Sequence, residues 1–167
     1  MNAEQRDFFP PQITLCVGAV VVREKKVLFV RQAYGGLKGT WSLPWGFVDG
    51  KKSDGSLEPP DMAAIRETLE EAGIVATVEG LIGIQNHCND DDPRLYILFL
   101  CRHVSGEPTP DNHETDKAAF FSLDEMAGFK EPFDEFCEWI AKRVLKGQNH
   151  VIPLESANPY HPHIAFF

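Results

Sequence analysis

Three acidic residues, Glu67, Glu70 and Glu71, are spaced i, i+3 and i+4. On an α-helix those positions share one face, with neighbouring Cβ atoms about 5–6 Å apart. Like charges packed that closely repel. A hard divalent cation such as Mg²⁺, which prefers oxygen ligands, removes the penalty. Arg66, directly before the group, can pair with one of these carboxylates and hold it in place. A cation held here would invert the local field and let an acidic protein take a small anionic substrate. A solvated acidic face on a surface helix is the plainer reading of these residues alone, and the flanking sequence decides between the two.

The elements that must position this group are legible from pattern. Residues 13–22, ITLCVGAVVV, are rich in β-branched residues and predict a buried strand; REKK at 23–26 is a polar turn, and 27–33 a second strand completing a hairpin. A glycine-containing loop, Tyr34 to Gly39, leads to an extended stretch from Trp41 to Val48 that bends at Pro44. Residues 49–58 read as a loop. Pro59 and Pro60 suit the first turn of a helix, where proline removes no needed hydrogen bond. The helix is expected to reach Ala72 and stop at Gly73, with Met62, Ile65, Leu69 and Ala72 as its apolar face.

Strands are expected over 75–84, 94–104 and 118–121, with a turn at 89–93. Ser122 and Glu125 form an S-x-x-E capping box opening a short helix. Phe133, Phe136, Cys137, Ile140 and Val144 mark one face of a last helix, with Lys142, Arg143 and Lys146 near its C-terminal end. The division is an arm at 1–12, a domain at 13–147 and a tail at 148–167. Strand-rich and helical stretches in this order imply an α/β fold, a mixed β-sheet sandwiched between helices.

Composition narrows the function classes. Hydrophobic residues at 43% and charged residues at 25% predict a globular chain. Sixteen basic against twenty-five acidic residues leave a net charge of −9, which disfavours duplex nucleic acid as a partner. No apolar run nears the roughly 18–20 residues of a membrane span, and no secretory signal is legible, so a cytoplasmic location is expected. Cys16, Cys88, Cys101 and Cys137 form no C-x-x-C pair and read as small buried hydrophobes.

Around the acidic group the chain resembles the Nudix hydrolases. Their signature runs from a glycine through a glutamate, seven residues, then Arg-Glu, two residues, Glu-Glu, one residue, Gly and an apolar residue. Here Glu58 precedes Pro59 to Ile65, then come Arg66, Glu67, Glu70, Glu71, Gly73 and Ile74. The signature's glycine is due at position 52, where Lys52 stands. Gly46 is the nearest usable glycine, so the loop is six residues longer than usual. Lengthening a loop costs little. Thr68 also replaces an expected apolar residue.

The resemblance implies a Nudix fold, Mg²⁺ with Mn²⁺ as the other candidate ion, and cleavage of a diphosphate linkage. It makes Glu70 and Glu71 the main metal ligands, with Glu67 as a further ligand or general base. The Trp45 backbone carbonyl is a fourth metal contact, Arg66 orients the carboxylates, and Glu58 joins the same charged network near the substrate. Glu114 is placed as a distal ligand or base. Gly46, Lys51 and Lys52 are expected beside substrate phosphate, with Trp45, Tyr34 and Phe47 available to stack on a base. Asn86 and His87 are further pocket candidates.

The implied substrate is a small nucleotide, a nucleoside diphosphate derivative of the ADP-ribose kind. A nucleoside triphosphate pyrophosphohydrolase and a non-catalytic nucleotide-sensing domain are the alternatives. The aromatic tail, Pro159 to Phe167, offers a docking element for a homodimer.

Overall fold

The computed structural model describes residues 13–50, 58–87, 93–155, 157 and 167. The central strand is β1 (Thr14–Arg23), which is apolar on both faces because both are covered. It turns at Glu24 and Lys25, both left-handed with φ of 49° and 62°, into β2 (Lys26–Gln32). That conformation matches the twist of a two-residue hairpin. The extended stretch at 41–48 is two strands, β3 (Trp41–Ser42) on β2 and β4 (Trp45–Phe47) on the first half of β1. Leu43 and Pro44 make the crossing between them.

Helix α1 (Pro60–Ala72) follows, then β5 (Val75–His87), β6 (Arg94–Ser105) and β7 (Thr115–Phe121). The short α2 (Leu123–Gly128), α3 (Glu135–Leu145) and a two-residue β8 (Ile152–Pro153) complete the chain. The sheet runs β3-β2-β1-β6-β5-β8, with β4 also on β1 and β7 also on β2. β6 is parallel to β1 and the other pairs are antiparallel, so the sheet is mixed, as expected.

Alternation along β1 divides two cores. Val17, Ala19 and Val21 pack with Ala63, Ala64 and Ala72 of α1 on one face. Val20 packs on the other face with Trp41, Met126 of α2, and Ile140 and Ala141 of α3. The Ser122–Glu125 capping box forms, and Asp134 caps α3 through the Cys137 N–H at 2.9 Å. Phe133 therefore lies before the last helix rather than on it, although it still packs into the second core. Cys16 and Cys101 are buried. No helix among the described residues is long and apolar enough to cross a membrane.

The apolar face expected for α1 is corrected in part: Ala72 is buried and Ile65 packs against the core, but Met62 and Leu69 do not. Met62 and Leu69 are 44% and 50% exposed. The rows turned inward are Ala63, Glu67, Glu71 and Ala64, Thr68, Ala72, each spaced by four. Small side chains let the helix approach the sheet closely, which a row of Met and Leu would prevent. Thr68, fully buried, donates its hydroxyl to the Ala64 carbonyl at 2.8 Å, so its polar atom is not left without a partner there. That rotation sends Glu67 and Glu71 inward toward β4.

Past α3 the chain returns to the sheet, with β8 pairing Gly80↔Pro153 and Leu81↔Ile152. Phe167 packs against Phe99, ring centroids 5.4 Å apart.

Candidate active site

Helix α1 lies with its inner carboxylates against β4, and between them opens a cleft of about 640 Å³. Glu67, Glu70, Glu71, Arg66, Trp45, Gly46 and Glu114 all line it, so most of the residues singled out by sequence meet in one place. Asp49, Gln32, Tyr34 and Arg94 join them.

Arg66 organises the helix side. Its Nε donates to Glu58 Oε1 at 2.9 Å and its Nη1 to Glu67 Oε1 and Glu70 Oε2 at 2.8 and 2.9 Å. Its Nη2 donates to Glu58 Oε2 at 2.9 Å and to the Phe47 carbonyl at 3.0 Å. One guanidinium thus ties α1 to β4 and neutralises carboxylates that would otherwise repel. The hydrogen bonds to Glu58 outweigh burial and hold its pKa above the usual arginine range.

Glu58 is placed differently from its expected role beside the substrate. It is 5% exposed, engaged by Arg66 and by the Asp49 N–H at 3.1 Å, and outside the cleft lining. It supports Arg66, because a carboxylate buried that deeply needs its cation.

Glu71 is 3% exposed and accepts the Trp45 N–H at 3.2 Å. Burial pushes its pKa up to about 8; the Trp45 bond opposes this, and the charges of Glu67, Glu114 and Asp111 add to the rise. Burial likewise raises Glu67, against the pull of Arg66. Gly46 fits Glu67 closely: a Cβ there would sit 2.1 Å from the Glu67 Cδ. Because the obstructed atom ends a flexible side chain, Gly46→Ala is expected to leave the fold intact. It would push the Glu67 carboxylate off Arg66 and lower kcat by about tenfold or more, roughly 1.4 kcal/mol. Unchanged kinetics in this variant would show that the carboxylate position does not matter.

Glu114 reaches the cleft on the loop before β7, which Asp111 braces by accepting from the His113, Glu114 and Thr115 N–H groups at 2.8–3.0 Å. Burial raises Asp111, but these bonds outweigh it and hold it below the usual range. Thr115, fully buried, donates its hydroxyl to the Glu71 carbonyl at 2.6 Å and so joins the loop to α1. Asp111 and Thr115 had no sequence signal, since their partners lie in other elements. Tyr34, 56% exposed, lines the cleft with its phenol pKa raised, first by the Glu114 charge.

Beside the cleft, sharing Leu37 and Trp45 with it, lies a cavity of about 220 Å³. Trp45, Tyr96 and Phe136 give it aromatic walls, and Gln85 and Asp134 add polar groups. The Trp45 and Tyr96 rings are 5.5 Å apart. Asn86 is exposed and lines neither space, whereas its neighbour Gln85 does. Lys51, Lys52, the His87 side chain and the residues of the tail from 158 to 166 lie outside the described residues.

The donor set suits a hard cation. Carboxylate oxygens of Glu67, Glu70, Glu71 and Glu114 face one space, and Glu71, buried among negative charges, accepts the Trp45 N–H. Among the described residues no three carboxylate, imidazole or thiol groups stand as a preformed cage. Arg66 holds Glu67 and Glu70 instead.

A family model described as the NUDIX domain matches residues 13–140. An ADP-ribose pyrophosphatase of Methanocaldococcus jannaschii is 28% identical over 138 residues, 81% of this chain and 75% of the relative. A MutT-like protein of Streptomyces ambofaciens is 30% identical over 128 residues, 76% of this chain and 75% of the relative. Among solved structures, a MutT NUDIX hydrolase from Burkholderia pseudomallei superposes with a TM-score of 0.66 at 26% identity. The match covers 80% of this chain and 99% of that one.

Proposed function

The chain belongs to the Nudix family of hydrolases, and from that premise we propose that it is a divalent-metal-dependent pyrophosphohydrolase of a nucleoside diphosphate derivative of the ADP-ribose kind. The observation carrying this reading is the adjacency of an acidic cleft and an aromatic cavity, which share Leu37 and Trp45 as a common wall. A diphosphate ester has a charged centre and a planar base, and the two spaces offer one place for each. The M. jannaschii relative, named an ADP-ribose pyrophosphatase, supports the choice within the class.

In this reading Glu67, Glu70 and Glu71 hold Mg²⁺, or Mn²⁺ in its place. The Trp45 carbonyl joins them, because a strand residue's N–H and C=O point to the same edge and its N–H meets Glu71. A bound ion would polarise phosphate oxygens and lower the pKa of a coordinated water. Arg66 keeps Glu67 and Glu70 in register, and Gly46 leaves room for the Glu67 carboxylate. Glu67 or Glu114 takes the water's proton. Trp45 and Tyr96 receive the base by stacking.

The test is cleavage of ADP-ribose, dinucleoside polyphosphates, nucleotide sugars and nucleoside triphosphates, with Mg²⁺ and with EDTA. Metal-dependent release of AMP from ADP-ribose is expected. Pyrophosphate release from triphosphates alone would replace the substrate class while keeping the site. Tight binding without turnover of any compound would make the protein a sensing domain.

A linkage result is also expected. With a folded pKa of about 8 and an ordinary unfolded value, Glu71 is protonated in the metal-free fold at pH 6. Its contribution to stability is complete below the unfolded pKa and is lost as pH rises through about 8. Glu67, Glu114 and Asp111 repel its ionised form, which the Trp45 N–H favours. A divalent cation binds that ionised form, so the rise in Tm on adding Mg²⁺ should be larger at pH 8 than at pH 6. Equal rises at both pH values in a calorimetric scan would contradict the assignment of Glu71 as a ligand.

A further inference from the structure

We propose that Arg94 holds the substrate's diphosphate and sets its affinity, with Phe47 as the residue that positions the Arg94 guanidinium; this rests on the reading of the cleft as a diphosphate hydrolase site. The charge balance of the cleft motivates it. Asp49, Glu67, Glu70, Glu71 and Glu114 line the space, and the arginines among its described lining residues are Arg66 and Arg94. A guanidinium has five N–H donors. Those of Arg66 all have acceptors: Glu58 twice, Glu67, Glu70 and the Phe47 carbonyl. Arg66 thus serves the carboxylates and β4, and Arg94 is the other guanidinium among the described residues lining the cleft.

Sheet register puts Arg94 where the role needs it. β1 lies between β4 and β6, pairing Gly18↔Trp45 and Cys16↔Phe47 on one side and Cys16↔Tyr96 and Thr14↔Arg94 on the other. Alternation places Trp45, Phe47, Tyr96 and Arg94 on one face. Trp45 meets Tyr96, and the Arg94 guanidinium carbon lies 5.7 Å from the centroid of the Phe47 ring. At that distance a cation is attracted to the ring face, which limits the directions the side chain samples. The planar fork suits two phosphate oxygens at once, a geometry lysine does not offer.

Phe47 is itself tied to the catalytic helix, because its carbonyl accepts from Arg66 at 3.0 Å. The intervening Gly46 faces the Glu67 carboxylate from the same short strand. β4 thus carries the support of the anion clamp on one face and the seat of a catalytic carboxylate on the other. A diphosphate lying along it would meet the acidic helix on one side and Arg94 on the other, with its base toward Trp45.

The experiment measures kcat and KM for ADP-ribose with Mg²⁺. Alongside, it measures calorimetric Kd for the non-hydrolysable α,β-methylene analogue of ADP-ribose. The enzymes are wild type, Arg94→Ala, Arg94→Lys, Phe47→Ala and Phe47→Tyr. Arg94→Ala should raise KM and Kd together by about 10- to 100-fold, the range of a hydrogen-bonded charge, while kcat moves far less. Arg94→Lys should fall between. Phe47→Ala should raise both constants by less, and Phe47→Tyr should restore them. Salt should weaken the wild type more than Arg94→Ala. Wild-type KM and Kd in Arg94→Ala, or a fall in kcat at constant KM, overturns the proposal. If the wild type neither cleaves nor binds any diphosphate, the cleft reading falls and this inference with it. Wild-type turnover with an indifferent Arg94→Ala strikes this inference alone.

Discussion

Glu71→Gln is expected to lower kcat by about 10³-fold or more, a loss of roughly 4 kcal/mol of transition-state stabilisation, without unfolding the protein. The amide keeps the volume of the carboxylate and can still accept the Trp45 N–H, so packing at this 3% exposed position is preserved. It removes the negative charge, the property a divalent cation requires. The same substitution relieves the repulsion that Glu67, Glu114 and Asp111 exert on a buried anion. Metal-free Glu71→Gln should therefore melt no lower than wild type at pH 8, and Mg²⁺ should no longer raise its Tm. Activity and stability move in opposite directions, which separates a ligand from a structural residue. Wild-type kcat in the folded variant would remove Glu71 from the metal site.

The second large effect falls on stability. Arg66→Met should destabilise the fold by about 3–5 kcal/mol, the usual cost of leaving a buried charge without its partner. The stranded group is Glu58, 5% exposed and paired with Arg66 through both carboxylate oxygens. Glu67, 8% exposed, loses its 2.8 Å contact in the same step. Activity should fall with stability, because Glu67 and Glu70 no longer share a donor. Arg66→Lys should recover only part, since a single ammonium cannot span Glu58, Glu67, Glu70 and the Phe47 carbonyl. Adding Glu58→Gln to Arg66→Met removes the stranded charge and should restore about 1–2 kcal/mol, a coupling that urea denaturation of the four-membered cycle measures. Strict additivity would mean the two residues do not act as a pair.

The acidic group was legible because its geometry is local. Once 60–72 is helical, i, i+3 and i+4 spacing alone gathers Glu67, Glu70 and Glu71 on neighbouring positions. Pro60 at the start and Gly73 in the left-handed conformation at the end are local signals too, and both boundaries match the reading from sequence. The capping box at Ser122 is of the same kind. The orientation of α1 was not legible, because periodicity ranked Met62 and Leu69 by hydrophobicity. Close packing on β1 instead selected Ala63, Ala64 and Thr68. Glu58 joins the charged network through Arg66 as expected, but its place outside the cleft lining was not legible, because its burial depends on that pairing.

Sequence by itself determined the class of chemistry and the elements bearing it: a helix with three carboxylates, an arginine beside them, and strands rich enough in β-branched residues to build a sheet around them. Tertiary structure decided which side chains share a space. Trp45 and Tyr96 stand 51 positions apart by their numbers, and Phe47 and Arg94 47 apart, yet both pairs meet because β1 lies between β4 and β6 in one register. Asp111, Thr115 and Glu71 likewise come together only when the loop before β7 packs on α1. Contacts within a helix follow from the backbone's own period, whereas contacts across strands depend on register and face. Those are set by how the whole sheet buries its apolar surface.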